Sequence, residues 1–275
     1  MKGTLSNQLS NLDLRKWCID NNINELFNID MDNYGAIDQK HDKDVFQSVD
    51  PDNMVAMPPE LDDLTRLHFL ARTRKVCTVL EFGIGKSTSV FAQAMKQNKE
   101  EYESFVSENL RCTTPFEVHS IDAIKDWIDV CKKDLNSDLQ PYVTFHHSEV
   151  EMTTFNDRIC TAYKELPNLC PDLIYLDAPD QYSIEGDVRG ISTRTKDRFP
   201  MAADLLMLEP FLLPGTLIVV DGRTANARFL KNNFQRDWEY FHMEAEDIHT
   251  FELVESPLGR INKVQMEFCL GGVYK

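Results

Sequence analysis

The stretch that decides the fold is Thr78-Val-Leu-Glu-Phe-Gly-Ile-Gly-Lys-Ser-Thr-Ser-Val-Phe91. A short apolar run, 76–80, ends in an acid, Glu81. Gly83 and Gly85 follow at alternate positions, then small hydroxyl residues, then Val90, Phe91, Ala94 and Met95 at helical spacing. This reads as strand, tight turn, helix. Glycine admits positive φ and lets backbone approach a ligand closely. The free N–H groups of the first helical turn then face that ligand.

Working outward, the pattern repeats. Segments 116–122, 171–177 and 216–221 are apolar runs ending in Asp122, Asp177 and Asp221, and 142–146 is a further strand. Helical patterns lie between them, at Trp127, Ile128, Cys131 and Leu135, over 202–213, and over 224–234 behind Thr224. The stretch 96–114 is polar and charged. Residues 177–199 form a long polar segment of the kind that serves as a functional loop or lid. Late strands are expected at 238–243, 250–255 and 263–270, with Ser-Pro-Leu-Gly-Arg (256–260) joining the last two as an antiparallel hairpin. Alternating strands and helices predict an α/β fold, doubly wound around a mostly parallel sheet. Ligands of such sheets bind beyond the carboxyl ends of the strands, where Glu81, Asp122, Asp177 and Asp221 all lie.

Before this unit, residues 1–56 are rich in Asn and Asp, with short helical pieces at 12–19 and 23–27. They are expected to be an acidic N-terminal extension that packs on the core or covers its ligand, with Met57-Pro58-Pro59 marking the boundary to a domain over 57–275. A helix follows from Glu60, with Leu61, Leu64, Leu67, His68 and Leu70 on one face; His68 there reads as a satisfied core or edge histidine.

The chain has 275 residues and a formal charge of -16. Residues 1–63 contribute 13 acidic against 5 basic side chains. That balance argues against nucleic acid or an anionic membrane as partner, because phosphate neutralisation needs a surplus of Lys and Arg. No apolar run reaches the roughly 20 residues of a membrane span, and the N-terminus lacks an apolar signal core, so a cytoplasmic location is the expectation. The seven cysteines are scattered with no CxxC pair, which points to free thiols rather than disulfides or structural zinc.

With Glu81-Phe-Gly-Ile-Gly-Lys-Ser-Thr88 in place, the chain from about residue 61 onward resembles the class I S-adenosylmethionine-dependent methyltransferases, in particular bacterial-type small-molecule methyltransferases whose first motif reads E-x-G-x-G-x-S-T. The resemblance implies a Rossmann-like, seven-stranded sheet with a C-terminal antiparallel hairpin. It implies S-adenosyl-L-methionine as cofactor, with Glu81, Gly83, Gly85, Ser87 and Thr88 on the methionine side. Asp122, with Ala123 beside it, would hold the ribose hydroxyls, as a carboxylate accepts two hydrogen bonds from a diol. Ser148 and Glu149 would flank the adenine, and Asp177 would face both cofactor and acceptor. Two positions depart from the pattern: Ser87 stands where a third glycine is usual, its Oγ placed to cap the helix, and Lys86 sits beside the cationic sulfonium.

The implied function is methyl transfer to a small molecule, with a hydroxyl as the favoured acceptor. A hydroxyl needs a base, and Asp177, Asp180 and His249 are the candidates. Magnesium is the other route. Catechol-type relatives hold it with acids after strands four and five and an adjacent Asn, and Asp177 and Asp221 match the acids. Gly222 replaces the Asn, however, and Asn226 is displaced, so metal is not favoured. Arg189, Arg194, Arg223 and Arg228 are candidates for an anionic acceptor. Oligomeric state is left open, a homodimer included. Two alternatives stand: a methyltransferase-fold protein that binds without catalysis, and a nucleotide hydrolase. The latter lacks a full P-loop, since Leu80 occupies the place of its first glycine.

Overall fold

The structure, a computed structural model, describes residues 5–31 and 58–271. Most of the extension's second half, 32–56, and Met57 of the expected boundary lie outside the described residues. In chain order the helices are α1 (Leu5–Ser10), α2 (Leu14–Asp20), α3 (Leu61–Thr73), α4 (Lys86–Asn109), α5 (Lys125–Asp134), α6 (Asp204–Leu208), α7 (Thr224–Lys231) and α8 (Gly259–Leu270). The strands are β1 (Thr78–Phe82), β2 (Glu117–Asp122), β3 (Val143–His147), β4 (Val150–Phe155), β5 (Arg158–Tyr163), β6 (Leu173–Leu176), β7 (Ile184–Glu185), β8 (Leu217–Asp221), β9 (Trp238–Met243) and β10 (Ile248–Leu253).

Seven strands form the main sheet in the order β3-β2-β1-β6-β8-β10-β9. The first five are mutually parallel; β10 runs antiparallel to both β8 and β9. The chain leaves β1 in one direction, through β2 and β3, and returns on its other side as β6. The switch point between β1 and β6 is therefore where a crevice opens.

Central strands are buried on both faces, as parallel sheets require. Val79, Val118 and Val219 face α3, α4 and α8 through Leu67, Phe91, Met95 and Met266. Leu80, Ile174 and Val220 face the opposite layer, built from α6, α7 and the β4–β5 hairpin. The doubly wound, mostly parallel architecture expected from the sequence is what the chain adopts.

Three elements differ from the sequence expectation. Residues 263–270 are not a strand but the end of helix α8. Their alternation of Val264, Met266, Phe268 and Leu270 imitates a strand, yet Asn262, Met266, Cys269 and Leu270 are buried at helical spacing. Gly271, at φ +66, ends the helix in the left-handed conformation. The terminal antiparallel hairpin is instead β9–β10, with His249 paired to His242. Second, α4 runs on through the polar stretch to Asn109: nothing between 86 and 109 breaks a helix, and Tyr102 and Phe105 extend its apolar stripe onto the Phe268 ring. Third, β4 and β5 form a hairpin with no counterpart in the sequence reading. Its turn, Asn156-Asp157, has φ of +47 and +62, the two left-handed residues that a type I′ hairpin turn demands.

The described part of the N-terminal segment packs on α3 and α4. Cys18 and Ile23 are buried with Leu61, Leu64 and Val90, and Gln93 Nε2 donates to Asn21 O at 3.2 Å. Trp17 Nε1 donates to His68 Nδ1 at 3.1 Å. Burial pushes the His68 imidazole down to about 3, so it is neutral and accepts this bond, as a core histidine should.

Candidate active site

Gly83 sits at the switch point. Its φ is +98, and a Cβ there would lie 3.1 Å from Ala178 Cβ and from the Asp177 backbone. Both the left-handed conformation and the close approach of the β6 end require glycine. Gly85 is different. Its φ of -171 is extended, and a Cβ there would meet nothing within 4 Å. The sequence therefore leaves open space at the N-terminus of α4, where helix N–H groups are free to meet a ligand.

Beneath the turn, Glu81 is fully buried. It accepts hydrogen bonds from Ser87 Oγ (2.5 Å), Thr88 Oγ1 (2.6 Å) and Ser120 Oγ (2.5 Å). Thr88 Oγ1 in turn accepts the Gly85 N–H at 3.1 Å. Burial is the largest influence on Glu81 and pushes its carboxyl up to about 7, against the three hydroxyls that lower it. Ser87 thus anchors the buried acid rather than capping the helix. Both motif hydroxyls are committed to Glu81, whereas a P-loop would turn its Ser or Thr hydroxyl to a metal ion. Lys86 Nζ lies over the Phe27 ring, 5.9 Å from its centroid.

Asp122, at the end of β2, is tied to the same turn. Its Oδ2 accepts the Ile84 N–H at 3.2 Å and its Oδ1 the Ile124 N–H at 2.9 Å. Each oxygen retains a second lone-pair site. Burial raises its carboxyl above the usual range, with the backbone N–H groups opposing. Trp127 Nε1 fixes the turn from the other side by donating to Ile84 O at 2.6 Å. His147 Nε2 lies 3.1 Å from Ala123 O. Ser148 is buried, donates its N–H to Asp122 O and accepts the Glu165 N–H on Oγ. Glu149 is exposed and paired with Lys164 at 2.6 Å.

At the end of β6, Asp177 keeps 54% of its side chain exposed. Arg223 holds it: Nε is 3.3 Å from Asp177 Oδ1, Nη2 is 2.6 Å from Asp177 O and Nη1 is 3.0 Å from Pro179 O. Enclosure by the strand ends raises the Asp177 carboxyl while Arg223 lowers it. Asp180 accepts the Tyr182 N–H at 2.8 Å and so shapes its loop. Asp221 accepts the Tyr175 hydroxyl at 2.7 Å; burial first, then the Asp177 charge, push it up to about 8. The Asn226 amide is buried and used on both sides of Ala202. His249 is fully buried, with Nδ1 2.9 Å from Tyr240 Oη and Nε2 3.0 Å from Thr224 Oγ1.

These partners bear on a magnesium site. A cation would have to displace Arg223 from Asp177 and ionise Asp221, and it would find the Asn226 amide already spent. The set does not fit the open oxygen cage that magnesium takes. A diol, by contrast, would find acceptor capacity on the Asp122 carboxylate beside the Gly85 opening.

The sequence reading missed Tyr163, on the unforeseen strand β5. Its hydroxyl is buried and makes no hydrogen bond, and the charged groups acting on it are Asp122, Asp204, Arg223 and Asp177. The polar segment 177–199 contributes to a cavity of about 430 Å³ against the same hairpin, lined by Met152, Cys160, Thr161, Ile191, Phe199 and Met201 among others. No described helix is long and apolar enough to cross a membrane.

No protein-family model matches the chain. No curated protein matches it. Among solved structures, the SAH-bound methyltransferase PaMTH1 of Podospora anserina is 13% identical over 80% of this chain and 88% of its own, with a TM-score of 0.44. The O-methyltransferase from Bacillus cereus in complex with SAH is 13% identical over 88% and 100%, with a TM-score of 0.43. The O-methyltransferase TomG from Streptomyces achromogenes, in complex with SAM, is 15% identical over 89% and 100%, with a TM-score of 0.40. At these values nothing about this chain's chemistry follows from the likeness.

Proposed function

We propose that the protein transfers a methyl group from S-adenosyl-L-methionine to a small molecule, through an acceptor hydroxyl. The observation that carries this reading is the opening at Gly85 beside an Asp122 carboxylate that the same turn holds by the Ile84 N–H. Asp122 would hold the ribose hydroxyls, with Ala123 and Ser148 beside it, and Gly85 would leave room for the methionine part.

Bound there, the cofactor supplies a methyl group already activated on a sulfonium. The chain then has to align acceptor, methyl and sulfur and take up the acceptor's proton. Asp177 suits that task best: it is half exposed at the switch point, and Arg223 fixes its orientation. Asp180 shapes the loop beside it. His249 is fully buried between Tyr240 and Thr224 and is closed to an acceptor. The mostly apolar cavity against β4 and β5 has the size of a small-molecule site but is lined by none of Gly85, Asp122, Tyr163 or Asp177, so the acceptor is not assigned to it.

The test is a transfer assay with methyl-labelled cofactor over a panel of phenolic, sugar and amine acceptors. Label should reach hydroxyl acceptors without added metal, and Asp177→Asn should lower kcat by about 10²-fold or more. Label reaching amines alone contradicts the hydroxyl assignment, and an Asp177→Asn enzyme with full kcat contradicts the base.

A further inference from the structure

Beside this site the β9–β10 hairpin gathers a second constellation. His242 and His249 are directly opposed across the two strands. Their rings stack with centroids 3.8 Å apart and planes 15° apart, so one ring must turn about χ2 before both Nε2 atoms can aim at a shared ion. The connecting turn brings Asp247 back over them, so that Asp247 Oδ1 lies 3.4 Å from His242 Nε2 and 3.4 Å from His249 Nε2. Among the described residues this is the set of His, Cys and acid side chains whose ligand atoms all converge within 4.8 Å.

We infer that His242, Asp247 and His249 form a site for a divalent zinc-class metal ion. Three observations support it. Ligand atoms about 2.0–2.1 Å from a tetrahedral ion stand about 3.3–3.4 Å apart, the separation that Asp247 Oδ1 keeps from each imidazole nitrogen. His242 Nε2 is buried and makes no hydrogen bond, an orphaned lone pair that a metal would satisfy. The outer contacts also suit: Tyr240 Oη, 2.9 Å from His249 Nδ1, can accept the Nδ1–H, and the ion would take the place of Thr224 Oγ1, which lies 3.0 Å from His249 Nε2.

Asp247 is held for the task by its own backbone, whose carbonyl accepts the Gly222 N–H at 3.1 Å, and by the Thr224 hydroxyl. Two nitrogens and one carboxylate select zinc, cobalt or nickel over magnesium or calcium. His249 is fully buried, His242 is 22% exposed and Asp247 50% exposed, so the ion would enter from the Asp247 side. Bound there it would pin the hairpin turn, whose Asp247 takes the Thr224 hydroxyl at the start of α7, next to Arg223, the residue that orients Asp177. This site differs in residues and in metal from the magnesium arrangement considered above.

The test uses the full chain after chelator treatment, titrated with Zn²⁺ by calorimetry and with Co²⁺ by visible absorption. One tight equivalent should bind, Co²⁺ should give the intense bands of tetrahedral coordination, and the melting temperature should rise with added Zn²⁺. His242→Ala and, separately, Asp247→Asn should each weaken Zn²⁺ binding by about 100-fold or more and abolish the Co²⁺ bands. Asp247→Asn keeps the inference testable should His242→Ala fold poorly. Equal Zn²⁺ binding by wild type and both variants would assign the metal to the free cysteines, and no tight equivalent in the wild type would remove the site; either result overturns the inference. Neither readout depends on the methyl-transfer reading.

Discussion

Replacing Glu81 with glutamine removes a buried titration and leaves its shape. The carboxyl has no exposed surface, and burial lifts it from 4.5 to about 7. At about 1.4 kcal/mol per pH unit, that gap is worth about 3 kcal/mol. Because the folded-state value is raised, the contribution is fully present below about pH 4.5 and is lost as pH rises through about 7. Glutamine has no such dependence, and its amide nitrogen can face Ser87 Oγ, which turns to accept. Asp204 and Asp221, pushed by burial to about 7 and about 8, titrate in both proteins and cancel in the difference. Urea unfolding of wild type and Glu81→Gln at half-unit steps from pH 4.5 to 8 reads it directly. The stability of the wild type relative to the variant should fall by about 3 kcal/mol over that range and then level off. A difference that stays flat, or that moves in the wild type's favour as pH rises, refutes the account of Glu81 as a neutral acid under the turn.

Further outcomes follow from the same geometry. Gly83→Ala combines a left-handed φ with 3.1 Å contacts to the Asp177 backbone and should cost about 2–4 kcal/mol in chemical denaturation. Arg223→Ala removes three hydrogen bonds from the 177–179 segment; it should lower the transfer rate far more than stability, with a stability loss of about 1–3 kcal/mol. Asp221→Asn should gain stability relative to wild type as pH rises from 4 through 8, because the wild-type carboxyl is held protonated by burial and resists ionising; thermal melts across that range check the sign.

Much of the fold was legible because its signals are local. Four of the five parallel strands are apolar runs that end at an acid, and the Gly83–Gly85 turn announces the switch point. The errors share a cause. The run 263–270 carries an alternation that suits a strand and a spacing that suits a helix, and packing of Met266 and Leu270 onto the sheet face decides between them. The β4–β5 hairpin announced itself only through Asn156-Asp157, and without it Tyr163 could not be placed. At the site, the sequence puts Glu81, Asp122, Asp177 and Asp221 at strand ends, but their partners come from elsewhere in the chain. Ser87 reaches down to Glu81, and Arg223 reaches across 46 positions to Asp177. The pairing of His242 with His249 depends on a hairpin register that the sequence reading had shifted towards the C-terminus.

The central claim is that S-adenosyl-L-methionine occupies the opening at Gly85, next to Asp122. Calorimetric titration of S-adenosylhomocysteine into wild type and Gly85→Leu tests it most directly. The backbone of Gly85 is extended and a Cβ there meets no protein atom within 4 Å, so the variant should fold with a melting temperature close to that of the wild type. The account predicts micromolar binding to the wild type, no measurable binding to Gly85→Leu, and loss of binding in Asp122→Ala as well. Equal affinity in wild type and Gly85→Leu, or no binding to the wild type at all, would contradict it.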